Sequence, residues 1–195
     1  MEELLITREK AIELLNSMPQ QESDINHYLE TEAIMRNLAK KFEEDIDYWR
    51  VVGLLHDVDW ALTKNNWGEH CIKAVKILKE NGFDENFIEI IQSHGYGYNE
   101  IPSLKNKKRT KKIEYALTAA ETLTGIIYAY ALMRGRNISE MDVKGLKKKF
   151  KDKKFAANCN RELIKEIEKT GLSLDEFFEL AVDAIKNIKE QIGLN

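Results

Sequence analysis

The sequence predicts an all-α protein, and three observations carry that prediction. Apolar residues recur at helical spacing along almost the whole chain. Proline occurs only at Pro19 and Pro102. No Asn-Gly or Asp-Gly turn stands between runs of alternating polar and apolar residues. A chain of 195 residues can bury a sizeable core and fits a single domain over 1–195.

Taken in order, the periodicity predicts helices over 8–18, 22–43, 46–57, 67–81, 85–94, 111–134, 139–150, 156–169 and 173–191. Ser139-Glu-Met-Asp142 and Ser173-Leu-Asp-Glu176 have the form of capping boxes. Asp84 can cap the helix after it, and Gly82 can end the one before. No internal repeat or low-complexity linker interrupts the pattern. Two lysine-rich stretches stand out, Lys105 to Lys112 and Lys147 to Lys154.

Composition narrows the function classes. A net charge of -3 exerts no global pull on nucleic acid or an anionic membrane, so nucleic-acid binding is not expected. Cys71 and Cys159 are too few for a disulfide framework, which fits a reducing, cytoplasmic compartment. The opening MEELLITREK lacks the basic and apolar regions of a signal peptide. The longest uncharged stretch, Thr122 to Met133, falls short of the roughly 20 residues of a membrane span and reads as a buried helix.

All four histidines lie between positions 27 and 94, and their helical phase points inward. His27 shares a face with Thr31, Ile34 and Leu38. His70 leads Ala74, Ile77 and Leu78, and Phe87, Ile90 and Ile91 lead to His94. His56 and Asp57 stand together at the end of an apolar helix in GLLHDVDW, and Glu121 falls among Ile113, Leu117, Ala120, Thr124 and Ile127. Burying an unpaired carboxylate costs several kcal/mol or more. Inward acids among inward imidazoles therefore supply the N and O donors a divalent metal prefers. Asp59 can be a hydrogen-bond acceptor behind a ligand histidine, although a solvent-facing turn is the expected reading. Cys71, one helical step of about 100° from His70, is expected off the stripe as a packed or half-exposed thiol.

With these residues in place, the sequence resembles the HD superfamily of metal-dependent hydrolases, whose helical core carries H…HD…D. His27, the doublet His56-Asp57 and Glu121 occupy those positions, with Glu121 where Asp is usual. The resemblance covers about 20–135 and leaves 136–195 as a C-terminal helical extension. It implies an HD-domain helical bundle and a centre for one or two divalent ions (Mn, Mg, Fe, Co, Ni or Zn). His27, His56, Asp57 and Glu121 would hold one ion, and His70 and His94 a second bridged by Asp57. ALTAAETLTGIIYA and KKKFKDKKFAANCNRELI are similar to stretches of a bacterial group of predicted HD hydrolases.

The chemistry implied is hydrolysis of a nucleotide or other small phosphoester by a metal-activated water, with Asp57 and His56 as catalytic residues. Lys108, Arg109, Lys151 and Lys154 are candidates to contact the substrate phosphate, against the alternative that charge runs are solvated. Two other readings stay open. One is a mixed-valent di-iron oxygenase of the HD fold. The other is a non-catalytic nucleotide-binding signalling module.

Overall fold

Two of the predicted N-caps, Asp84 and Ser173, begin helices, and the departures lie where a side chain takes the backbone out of the helix. The computed structural model describes residues 7–195, so the signal-peptide reading of the first six residues lies outside it. The α-helices are α1 (Arg8–Asn16), α2 (Glu22–Phe42), α3 (Ile46–Leu55), α4 (Trp60–Thr63) and α5 (Lys73–Glu80). They continue with α6 (Glu85–Ser93), α7 (Lys112–Met133), α8 (Val143–Lys151), α9 (Arg161–Lys165) and α10 (Leu174–Lys186). Short 3-10 turns occupy Trp67–Glu69, Glu166–Thr170 and Lys189–Ile192, and no strand occurs among the described residues. The fold class is all-α, as predicted.

Asp84 accepts from the Phe87 amide at 2.7 Å and begins α6. Ser173 and Glu176 form the reciprocal box that begins α10. The Ser139 box does not form: Asp142 accepts from the Gly145 amide at 2.6 Å, so α8 begins at Val143, four residues later than predicted. The predicted helix over 156–169 is likewise cut back to α9 and a 3-10 turn. The Arg161 guanidinium gathers the carbonyls of Phe150, Ala156 and Cys159 at 3.3, 2.6 and 2.6 Å, and those of Asp152 and Phe155 as well. Carbonyls bonded to one arginine hold a loop, because a helix would turn them toward its own amides.

The core is laid down where α2, α3 and α7 meet. Gly53 lets α3 lie backbone to backbone on α2, since a Cβ there would come within 2.9 Å of the Thr31 carbonyl and 3.0 Å of the Glu32 Cα. That close approach brings the end of α3, and with it His56, beside the start of α2. Glu32, buried on α2, ties the neighbouring helices by accepting from Arg8 of α1 at 2.5 and 2.9 Å and from Arg50 of α3 at 2.9 Å. The C-terminal helices cover this core, α10 against α2, and α9 with its 3-10 turn against α7.

α7 is the one helix among the described residues long and apolar enough to pass for a membrane span by composition, yet 67% of its most apolar window is buried inside the fold. Its apolarity is used up by the core that it crosses.

Glu30 is the exception in that core. Only 3% exposed, it has no partner for Oε1 among the described residues, and burial pushes its carboxyl up to about 8. A carboxyl that is neutral in the fold and ionised in the unfolded chain loses stability as pH rises from its ordinary value of 4.5 toward 8. Glu30→Gln should therefore leave stability unchanged near pH 4 and raise it by about 1–3 kcal/mol at pH 8. Urea denaturation at both pH values checks this; equal effects at the two would refute it.

Candidate metal centre

Each histidine is delivered by a different local device. His27 projects from the first turns of α2, and His56 caps α3 at the Gly53 crossing. His94 caps α6 after its buried face of Phe87, Ile90 and Ile91. His70 does not head a helix, because α5 begins only at Lys73. It has extended backbone (φ -61, ψ 142) after a 3-10 turn. Its inward placement comes from Asp59, not from helical phase.

Asp59 is fully buried. Its Oδ1 lies 2.9 Å from His70 Nδ1, and its Oδ2 accepts from the Ala74 amide at 3.0 Å. The expectation of a solvent-facing turn at Asp59 is thus overturned; the carboxylate both orients the imidazole and anchors the entrance to α5. Asp59→Asn should weaken metal binding about 10- to 100-fold, the usual effect of removing an acceptor behind a ligand histidine. Titration with a fluorescent zinc competitor would read this, and an unchanged affinity would exclude the role.

The other three histidines are held in the same manner. His27 Nδ1 lies 2.9 Å from Thr124 Oγ1, which itself donates to the Glu121 carbonyl at 2.6 Å. His56 Nδ1 lies 2.8 Å from the Gly53 carbonyl, and His94 Nδ1 2.6 Å from that of Ile91. Carbonyls only accept, and the Thr124 proton is already committed, so these Nδ1 atoms carry the hydrogens. Thr124 and the two carbonyls are functional groups that the sequence reading missed. Thr124 was visible only as a member of the α7 stripe, and carbonyls leave no trace in a sequence.

With Nδ1 occupied, the four Nε2 atoms turn inward in two pairs. His27 and His56 are 3.0 Å apart at Nε2, and His70 and His94 3.1 Å. Asp57 stands between the pairs. Its Oδ2 lies 3.7 and 3.6 Å from Nε2 of His27 and His56, and its Oδ1 3.4 and 3.2 Å from those of His70 and His94. Donor atoms bound to one ion at about 2.0–2.1 Å stand roughly 2.9–3.4 Å apart. The N···N separations and the Oδ1 separations fall in that range, and the Oδ2 separations slightly above it. Each carboxylate oxygen of Asp57 thus faces one imidazole pair.

The electrostatics ask for positive charge here. Burial pushes His56 down to about 3, only partly offset by Asp57, so its imidazole is neutral with a free lone pair. Burial pushes Asp57 up, but His56, His94 and His70 outweigh it and hold the carboxyl well below its ordinary range. Burial works against charge at both His70 and His94; Cys71, Asp59 and Asp57 overcome it at His70, and Cys71 and Asp57 overcome it at His94, so both imidazoles are pushed up. Neighbouring Nε2 lone pairs repel unless a proton or a metal ion lies between them.

Cys71 joins this cluster despite its predicted phase. The helical step that would turn it away does not exist at 70–71; its backbone is left-handed (φ 62), and its fully buried Sγ lies 3.5 Å from His94 Nε2. Donor atoms of His70, Cys71 and His94 form one group able to hold an ion, and those of His27, His56 and Asp57 another. Glu121 stands outside both groups. It is half-buried, its Oε1 accepts from Thr122 Oγ1 at 2.5 Å, and burial pushes its carboxyl up to about 7.

The basic residues singled out for a substrate phosphate are not brought to the centre. Arg109 is committed to Glu166 at 2.5 Å and to the carbonyls of Ser93 and Tyr96 at 2.7 and 3.1 Å. Lys108 lines a cavity that contains none of the histidines, and Lys151 lies in a shallow hollow along α8. Lys154 is exposed, with only its amide bonded, to Asp152.

The family model of the HD domain matches residues 24–130, more than half of the chain and inclusive of every residue of both donor groups. The chain belongs to the HD-domain family. This HD-domain protein is 22% identical over 174 residues to Ribonuclease Y of a Sulfurovum species, covering 85% of this chain and 32% of that one. It is 33% identical over 91 residues to an uncharacterized protein of Methanocaldococcus jannaschii, covering 44% of this chain and 52% of the relative. The chain thus spans from about a third to about half of the length of these curated relatives. No solved structure matches it. HD domains are in general metal-dependent hydrolases, and the buried His/Asp cluster of this one fits a divalent metal site.

Proposed function

We propose that this HD-domain protein is a cytoplasmic metal-dependent phosphohydrolase acting on a nucleotide or another small phosphoester. The observation that carries the reading is Asp57, whose two oxygens each face one pair of Nε2 atoms. His27, His56 and Asp57 would hold one ion, and His70 and His94, again with Asp57, a second. Cys71 stands against the second pair. When bound, divalent ions supply Lewis acidity at the phosphoryl group and make water more acidic.

The chain's own residues do the rest. Asp59, Thr124, Gly53 and Ile91 fix the tautomers, so every imidazole presents Nε2 and none must reorient during turnover. The side chains of His27 and Asp57 are 29% and 13% exposed, whereas that of His56 is fully buried. Substrate therefore approaches over the His27–Asp57 edge. Glu121, outside the donor groups and raised by burial, is assigned the proton that the departing oxygen takes up. The Sulfurovum relative is named a ribonuclease, which supports including phosphodiesters beside monoesters among the substrates tested.

The test is phosphate release from a panel of nucleoside monophosphates, cyclic and linear diesters and sugar phosphates, with protein loaded in turn with Mn, Co, Fe and Zn. Turnover with at least one non-redox pairing is expected, and Glu121→Gln should keep the metal while losing turnover about 10²- to 10⁴-fold. Two bound irons with a mixed-valent EPR signal and no phosphate release would replace hydrolysis with oxygenase chemistry. Tight nucleotide binding without turnover under every metal would leave a binding module.

A further inference from the structure

A sizeable cavity lies outside the metal centre. About 580 Å³ in volume, it opens between the loop that follows α6 and the 3-10 turn after α9. Its wall carries Tyr96, Lys105, Lys107, Lys108, Tyr115 and Lys169, and none of the histidines, Asp57 or Glu121. A volume of that size accommodates a small organic phosphate.

Its charges are unbalanced. Glu166 is the one acid in the wall, and it is already engaged by Arg109 at 2.5 Å and Lys169 at 2.9 Å. Lys105, Lys107 and Lys108 have no carboxylate partner among the described residues; Lys107 only rests over the Tyr96 ring, 5.3 Å from its centroid. Three like charges on four consecutive residues repel one another, and an anion seated between them would relieve that repulsion.

A second, independent observation points to a ligand. Tyr96 is 4% exposed, and its hydroxyl is buried without a hydrogen-bond partner among the described residues. Leaving such a donor unsatisfied costs roughly 1–3 kcal/mol. Lys107 rests over the same ring, and a phosphate that drew this side chain aside would bring an oxygen to the hydroxyl.

We propose that this cavity is a binding site for a small oligophosphate, separate from the metal centre and held by Lys105, Lys107, Lys108 and the Tyr96 hydroxyl. The site also touches the frame of the metal centre. Arg109, on the cavity wall, donates to the carbonyls of Ser93 and Tyr96, which bracket His94 in sequence. Ligand binding against Tyr96 therefore bears on the segment that carries one metal-facing imidazole, and any coupling between the two sites is reciprocal. The proposal does not depend on the reaction at the metal centre.

Calorimetric titration of the chelator-treated full chain with inorganic tripolyphosphate tests it without any turnover. Saturable binding of one tripolyphosphate per chain is expected, weakening as salt is raised. Tyr96→Phe, which keeps the ring and removes the hydroxyl, should weaken binding about fivefold, as loss of one hydrogen bond does. The double variant Lys107→Glu and Lys108→Glu should weaken it at least about tenfold. Lys151→Glu, on the separate α8 hollow, should leave it unchanged, and thermal melts confirm that each variant folds. Absence of saturable binding, or wild-type affinity in the Tyr96 and lysine variants, overturns the site. A single-stranded RNA oligomer that binds there more tightly than tripolyphosphate overturns the assignment to a small ligand.

Discussion

Asp57→Asn is expected to abolish binding of the two proposed ions and, under the proposed phosphohydrolase reading, to lower phosphoester turnover by more than about 10³-fold, the scale of losing a central charged group in a buried site. The amide keeps the shape of the carboxylate and removes its charge. Two imidazoles face each oxygen, at 3.6 and 3.7 Å on one side and 3.2 and 3.4 Å on the other. In the variant one of those pairs meets an NH2 group, a donor that presents no lone pair to a metal. Neither orientation of the amide serves both pairs, so no rotamer rescues the site. Metal content per chain, measured by plasma mass spectrometry on wild type and variant, reads the effect directly. A variant that retains two equivalents of metal would show that Asp57 does not bridge the pairs. The contrast with Glu121→Gln is informative, because that change should leave the metal in place.

Much of this centre was legible in the sequence because α-helical phase is a rigid ruler. His27 and His94 lie on or at the end of helices whose apolar stripes run true, so counting by three and four put them inside. The same ruler failed at 67–72, where a 3-10 turn and an extended residue interrupt the pattern. Counting through that break gave the right direction for His70 by coincidence of spacing and the wrong one for Cys71. Asp59 was misread for a related reason. An acid two residues beyond the predicted helix end at 57 normally faces water, and only a partner 11 positions away, His70, makes burial favourable. Glu121 shows the opposite limit. Its phase was read as inward and the residue is half-buried, yet whether a long side chain turns to the histidines or to Thr122 is decided by rotamer, which phase does not contain.

The lysine-rich stretches were less legible still. Lysine runs read only as charge, whereas the fold sends Lys108 to one cavity and Lys151 to a hollow on α8, and spends Arg109 on bracing carbonyls. Arginine differs from lysine in offering a planar fork of donors, which is why Arg109 and Arg161 became structural pins, whereas Lys111, Lys112 and Lys147 make single ion pairs at the surface.

Removing the metal should lower the melting temperature by roughly 8–16 °C at neutral pH. A ligand at about 1,000 times its dissociation constant stabilises the fold by about 4 kcal/mol, and a chain of this size shifts roughly 2–4 °C per kcal/mol. The pH dependence of the metal-free protein sharpens the prediction. His70, pushed up to about 10 from an ordinary 6.5, gains a proton that the fold favours. That stabilisation is fully present below about pH 6.5 and is lost as pH rises toward 10. His56, pushed down to about 3, behaves oppositely: it costs nothing above pH 6.5 and destabilises the fold as pH falls below it. The metal-free protein should therefore be most stable near pH 6–7 and weaken on either side. Bound metal takes the place of the His70 proton, so the loaded protein lacks the alkaline decline, and the gap in melting temperature widens from pH 7 to pH 9. Paired melts of chelated and reloaded protein across pH 5–9 measure this. A gap that stays constant with pH would mean that no proton substitutes for metal between His70 and His94, and that the convergence of their Nε2 atoms does not demand positive charge.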